Sequence, residues 1–155
     1  MLDLVSAYEN YLVNVKKASA NTTASYLRDL RQFAAWLDRQ EGRELVGAEQ
    51  QNISDYLARL EEEGRSSATL SRTLASLKNF YGYAVSSGFL QESPVRELHV
   101  AHGDKKLPQI LSGREVELLL AQPACVDAKG FRDKAMLELM YATGIRVSEL
   151  ISLDV

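Results

Sequence analysis

Apolar residues recur at intervals of three and four along nearly the whole chain, and no convincing stretch shows the period of two that a half-buried strand requires. Val5, Tyr8, Leu12 and Val15 form one stripe over about residues 2 to 17. Ser19-Ala20-Asn21-Thr22 supplies a break and a cap. The next helix, about 22 to 40, puts Tyr26, Leu30, Phe33, Ala34 and Leu37 on one side and Arg28, Arg31 and Arg39 elsewhere, with Gly42 at its end. A third, about 50 to 63, turns Ile53, Tyr56, Leu57 and Leu60 inward and stops at Gly64. The fourth, about 67 to 87, carries Leu70, Leu74, Leu77, Tyr81 and Ala84 as its buried stripe. The pattern predicts an all-α protein.

Residues 88 to 111 lose the period and are punctuated by Gly88, Ser93-Pro94, Gly103, Lys105-Lys106 and Pro108, the composition of a linker. A second domain follows. Ser112 and Glu115 form a capping box, with Leu111 and Val116 placed as a hydrophobic staple, so a helix is expected over about 113 to 121, ending before Pro123. Another, about 130 to 143, is apolar almost all round through Ala135–Ala142 and is expected to be central in its domain. The division is therefore 1–90, a linker 91–111, and a second domain from 112 to 155. That second part is smaller than a domain that stabilises itself without metal or disulfide, and Leu150, Ile151 and Leu153 have little to cover them. The expectation is a domain cut short.

A hydrophobic fraction of 46% with 25% charged residues argues against disorder, and no apolar run reaches the roughly 18 residues of a membrane span. No secretory leader is visible, and the single cysteine, Cys125, excludes an internal disulfide and fits a reducing cytoplasm. The net charge of −3 conceals a segregation. Residues 46 to 64 hold Glu49, Asp55, Glu61, Glu62 and Glu63 against Arg59 alone, whereas 65 to 91 hold Arg65, Arg72 and Lys78 with no acid. Local field decides where a polyanion approaches, so the overall acidity narrows the face available to nucleic acid without excluding it.

Two segments carry candidate chemistry. Arg146 follows Gly144, which ends an apolar helix, and precedes a new helix start, a corner where a planar guanidinium can grip an anionic oxygen; the plainer reading is an ion pair with Glu149, three residues on. On the fourth helix, Arg72, Ser76, Asn79 and Tyr83 form a polar, basic face free of carboxylates, suited either to a major groove or to plain solvation. His99 and His102 lack a third ligand for zinc, no glycine-rich phosphate loop is present, and no Ser/His/Asp set can be assembled. No metal and no cofactor is therefore expected. Packing is the better account of all seven tyrosines, Tyr141 included.

The run Phe131-Arg132-Asp133-Lys134-Ala135-Met136-Leu137-Glu138-Leu139-Met140-Tyr141-Ala142-Thr143-Gly144-Ile145-Arg146-Val147-Ser148-Glu149-Leu150 closely resembles the first conserved box of tyrosine recombinases, the phage integrase and Xer group. Asn21-Thr22, Tyr26, Asp29-Leu30 and Phe33 resemble the second helix of that family's core-binding domain, and Thr69-Leu70, Arg72, Leu74, Leu77 and Phe80-Tyr81 its fourth. Leu107-Pro108, Leu111, Glu115 and Leu118-Leu119 resemble the entry to its catalytic domain. Xer-type recombinases are the nearest subgroup.

The resemblance implies a four-helix SAM-like core-binding domain, a linker and the first helices of a catalytic domain, the two domains gripping duplex DNA from opposite sides, with self-association or a second recombinase subunit on the DNA. It implies strand exchange through a 3′-phosphotyrosyl bond without metal or ATP. Arg146 matches the first catalytic arginine and Glu149 the acid that holds it. The catalytic lysine, the His-x-x-Arg box and the nucleophilic tyrosine have no counterparts within these 155 residues, which are expected neither to cleave nor to join DNA. Candidate DNA contacts are Thr22, Arg28, Arg31, Ser71, Arg72, Ser76, Lys78, Asn79, Lys105 and Lys106. Two other readings stand beside this one: a truncated recombinase acting as a regulator, and a helical protein-interaction module.

Overall fold

The computed structural model describes residues 4–100 and 110–153, which are helical throughout their regular structure. The chain divides into two units, Met1–Lys105 and Lys106–Val155.

In the first unit α1 spans Leu4–Asn10 and runs on as a wider π turn, Tyr11–Val15. The amide of Lys16 reaches back five residues to the Tyr11 carbonyl at 2.9 Å, and Lys17 then reverses the chain at φ 50°. α2, Ala20–Glu41, starts at Ser19, whose hydroxyl accepts from the Thr22 amide, and ends on Gly42, left-handed at φ 60°. A 3-10 turn at Leu45–Gly47 leads to α3, Gln50–Glu62, and α4, Ser67–Ser86, starts on Ser66 in the same way as α2 does on Ser19. The start of α3 is tied to the end of α2: Asn52 donates to Glu41 at 2.7 Å while its carbonyl oxygen accepts from the Glu49 amide at 2.8 Å.

The expected stripes form the core except at Val15, which the π turn leaves 71% exposed. Tyr8, Leu12, Leu30, Phe33, Leu37, Ile53, Leu77, Phe80, Tyr81 and Ala84 are fully buried. Aromatic rings fill its middle: Tyr8 stands edge-on to Phe80 at 5.3 Å, and Tyr56 packs against both Phe33 and Trp36. Two buried phenols find acceptors, Tyr81 donating to the Leu45 carbonyl and Tyr8 to Asn79, both at 2.9 Å. Burial raises the pKa of each hydroxyl above the usual phenol range, because only the neutral form is tolerated there. The first part of the expected linker also belongs to this core. Val95 is 1% exposed, and Leu90, Leu98 and Val100 pack against the same cluster, so aperiodic chain here is packed chain.

In the second unit α5, Gly113–Leu120, opens with the expected capping box: the Ser112 amide donates to Glu115 at 2.8 Å and the Glu115 amide to the Ser112 hydroxyl at 3.4 Å. Donation from the Ser112 amide, and from its hydroxyl, holds the Glu115 carboxyl below its usual pKa. α6, Ala128–Thr143, is capped by Asp127 and closed by Gly144 at φ 67°; α7 is a single turn, Val147–Leu150. α6 packs with both α5 and α7, yet none of its residues is buried. The expectation that α6 is central and that Tyr141 is packed is corrected here: Tyr141 is 66% exposed, since the two short helices α5 and α7 cannot cover an all-round apolar one. Leu150 does find cover, whereas Ile151 and Leu153 stay exposed.

Candidate nucleic-acid interface

The longest helix of the first unit, α2, builds the site. Positions 24, 28, 31, 35 and 39 recur at three and four, so Arg28, Arg31 and Arg39 share one side, separated by alanines that leave the backbone open. Across from them the end of α3 and the turn after it bring Arg59 and Arg65. Together with the segment before α2 they enclose a groove of about 970 Å³. Five arginines and two glutamates line it. Glu9 is engaged by Arg31 at 3.7 Å and Glu63 by Arg59 at 2.7 Å, whereas Arg28, Arg39 and Arg65 have no carboxylate partner among the described residues. Thr23, 7% exposed, borders the same groove, and its hydroxyl has no hydrogen-bond partner there.

The groove thus unites Arg28 and Arg31 of the expected set with Arg39, Arg59 and Arg65, which sequence reasoning did not nominate. The period of α2 already placed Arg39 beside the first two. Arg59 was hidden inside the acidic segment, and it keeps one of those acids, Glu63, as its partner.

The fourth-helix candidates fare differently. Ser76 is 1% exposed and donates to the Asp29 carboxylate at 2.8 Å, so it is withdrawn from the candidate surface. Asn79 is half-buried as the acceptor of the Tyr8 hydroxyl, and Tyr83 packs on Tyr8 and Tyr11. The face expected to be open, to solvent or to a groove, is the side on which α4 meets α1 and α2. It is polar because its partners are polar. Arg72 spends one nitrogen on Asp29 yet remains 42% exposed along its side chain. Ser71 and Lys78 are half-buried, and Lys78 makes no ion pair among the described residues. The hydroxyl of Thr22 lies 2.9 Å from that of Ser19, inside the cap of α2. Lys105 and Lys106 lie outside the described residues.

In the second unit, Gly144 turns the chain and Arg146 stands as the residue before α7. Glu149 closes back on it, accepting from the Arg146 amide at 2.9 Å and from its guanidinium at 3.2 Å. Arginine can only donate, so its carbonyl answers, accepting from the Glu149 amide at 3.0 Å. The ion pair of the plainer reading is present, and the Arg146 side chain remains 81% exposed.

Residues 5–88 match the phage integrase N-terminal SAM-like domain, and residues 109–155 match the phage integrase family. The chain is 39% identical to tyrosine recombinase XerD of Pseudomonas aeruginosa over 97% of its own length and 50% of that protein. It is 34% identical to XerD of Listeria monocytogenes serotype 4b, over 99% and 52%, and 35% identical to XerC of a Roseiflexus species, over 99% and 50%. An all-helical SAM-like unit leading into the arginine corner, matched along both parts, places the chain in the tyrosine recombinase (phage integrase) family. It spans about half the length of the curated relatives it matches. No helix among the described residues is long and apolar enough to cross a membrane.

Proposed function

We propose that this chain is the DNA-binding part of a tyrosine site-specific recombinase, acting in the cytoplasm on duplex DNA alongside further recombinase subunits. The observation that carries the reading is the arginine groove of the first unit: in a chain of net charge −3, five guanidinium groups converge and three are uncompensated. Arg28 and Arg31 are the principal DNA contacts, with Ser71, the free edge of Arg72 and Lys78 contributing from α4. In the full-length enzyme Arg146 grips the scissile phosphate, where a preorganised cation stabilises the charge that builds in the transition state, and Glu149 fixes its direction. Leu118, Phe131, Tyr141 and Ile151, all exposed in this half, are covered by the rest of the catalytic domain.

An electrophoretic shift assay on the 155-residue chain tests the reading. Duplex DNA is retarded at low salt, and Arg28→Glu, at an exposed position with no ion-pair partner among the described residues, abolishes the retardation. Free migration with the unaltered chain, or equal retardation with the variant, contradicts it.

A further inference from the structure

A helix that reads bases must project into the major groove, which is a convex surface entering a concave one. The arginines of the first unit do the opposite. Arg28, Arg31 and Arg39 stand on one wall, Arg59 and Arg65 on the other, and the surface between them is a hollow. A hollow receives a ridge, and the ridges of duplex DNA are its sugar-phosphate backbones.

We propose that the groove between α2 and α3 is a backbone-clamping site that holds one DNA strand by its phosphates and reads no bases. The inference rests on the DNA-binding reading above and assigns this one surface within it. Eleven residues separate Arg28 from Arg39, a run of about 16 Å at 1.5 Å per residue. A strand winds around the duplex, so each phosphate step along it is longer than the roughly 3.4 Å axial rise, and that length takes in about three phosphates. The cations lacking a carboxylate, Arg28, Arg39 and Arg65, occur on both walls, so a strand lying between them is neutralised from two sides. Guanidinium forks suit phosphate oxygens from either direction. Sequence discrimination then belongs to other parts of the protein, and this site sets grip and register.

The test measures binding of the full chain to two duplexes of unrelated sequence by fluorescence anisotropy, between about 50 and about 200 mM salt. The triple variant Arg28→Gln, Arg39→Gln, Arg65→Gln is expected to flatten the slope of log affinity against log salt by about 2.7, at roughly 0.9 per phosphate contact. Its loss of affinity is the same on both duplexes. The comparison variant Arg96→Gln, Arg114→Gln, Arg132→Gln removes the same charge outside the groove and leaves the slope unchanged. All six side chains lie on exposed or part-exposed positions, and unchanged circular dichroism confirms folding. A triple variant with the native slope overturns the inference, as does a loss confined to one duplex or an equal flattening in the comparison variant. If the unaltered chain fails to bind either duplex, the DNA-binding reading itself falls first.

Discussion

Arg72 reaches from α4 to Asp29 on α2 with a single nitrogen, Nη1, placed 2.8 Å from Oδ1 and 2.6 Å from Oδ2. Asp29 is 2% exposed and also accepts from Ser76, so a carboxylate that could not be buried alone is satisfied by two residues one helical turn apart. The two most extensively packed helices of the first unit are locked at this point.

Removing the cation leaves that carboxylate uncompensated. Arg72→Ala is expected to destabilise the first unit by roughly 2–3 kcal/mol, below the 3–5 typical of fully buried pairs because water reaches the half-exposed side of Arg72. For a unit of this size the melting temperature falls by about 10–20 °C. Adding Asp29→Asn to that background recovers part of the loss, since the orphan is then neutral. A melting temperature unchanged by Arg72→Ala contradicts the account.

Tyr8 and Tyr81 set an alkaline limit. Burial holds both hydroxyls neutral, raising the folded-state pKa above that of the unfolded chain, about 10. Their contribution is therefore complete below pH 10 and is lost as pH rises further, because the unfolded chain ionises first. Urea unfolding between pH 8 and 11 should show stability declining above about pH 10 by up to about 1.4 kcal/mol per pH unit for each residue. Tyr81→Phe, which costs about 1 kcal/mol at neutral pH by orphaning the Leu45 carbonyl, flattens that decline. An identical slope in the variant and the native chain contradicts the assignment.

Gly130 lies in the first turn of α6, and a methyl group added there runs into the backbone carbonyl of Ala124. Alanine is the better helix former by about 1 kcal/mol, but the clash is with backbone and cannot be relieved by a rotamer change. Gly130→Ala is expected to speed hydrogen exchange of the α6 amides in the second unit, and unchanged protection would show that the 124–130 turn relaxes freely.

How far these features were legible in the sequence depends on how each is encoded. Helix ends written by a single residue, such as Gly42, Ser112 with Glu115, and Gly144, are local chemistry and were read directly. The buried stripe Leu70, Leu74, Leu77, Tyr81 and Ala84 follows from period alone. Ser76 and Asn79 were misread because periodicity scores a polar residue as outward, whereas their burial depends on Asp29 and Tyr8, 47 and 71 residues away. Val95 escaped for a related reason: an aperiodic segment can still cover a core. The arginine groove was half legible, since Arg28, Arg31 and Arg39 share a helix face but Arg59 and Arg65 join them only through the packing of α3. Arg146 was legible as a corner, and Glu149 proves to be what sets its direction.

Affinity of the 155-residue chain for duplex DNA as a function of salt tests the central claim most directly. With three to five phosphates neutralised by the groove, the association constant should fall roughly 40- to 500-fold between about 50 and about 200 mM salt. Binding that is absent at low salt, or that does not weaken across this range, would contradict the assignment of the arginine groove to DNA.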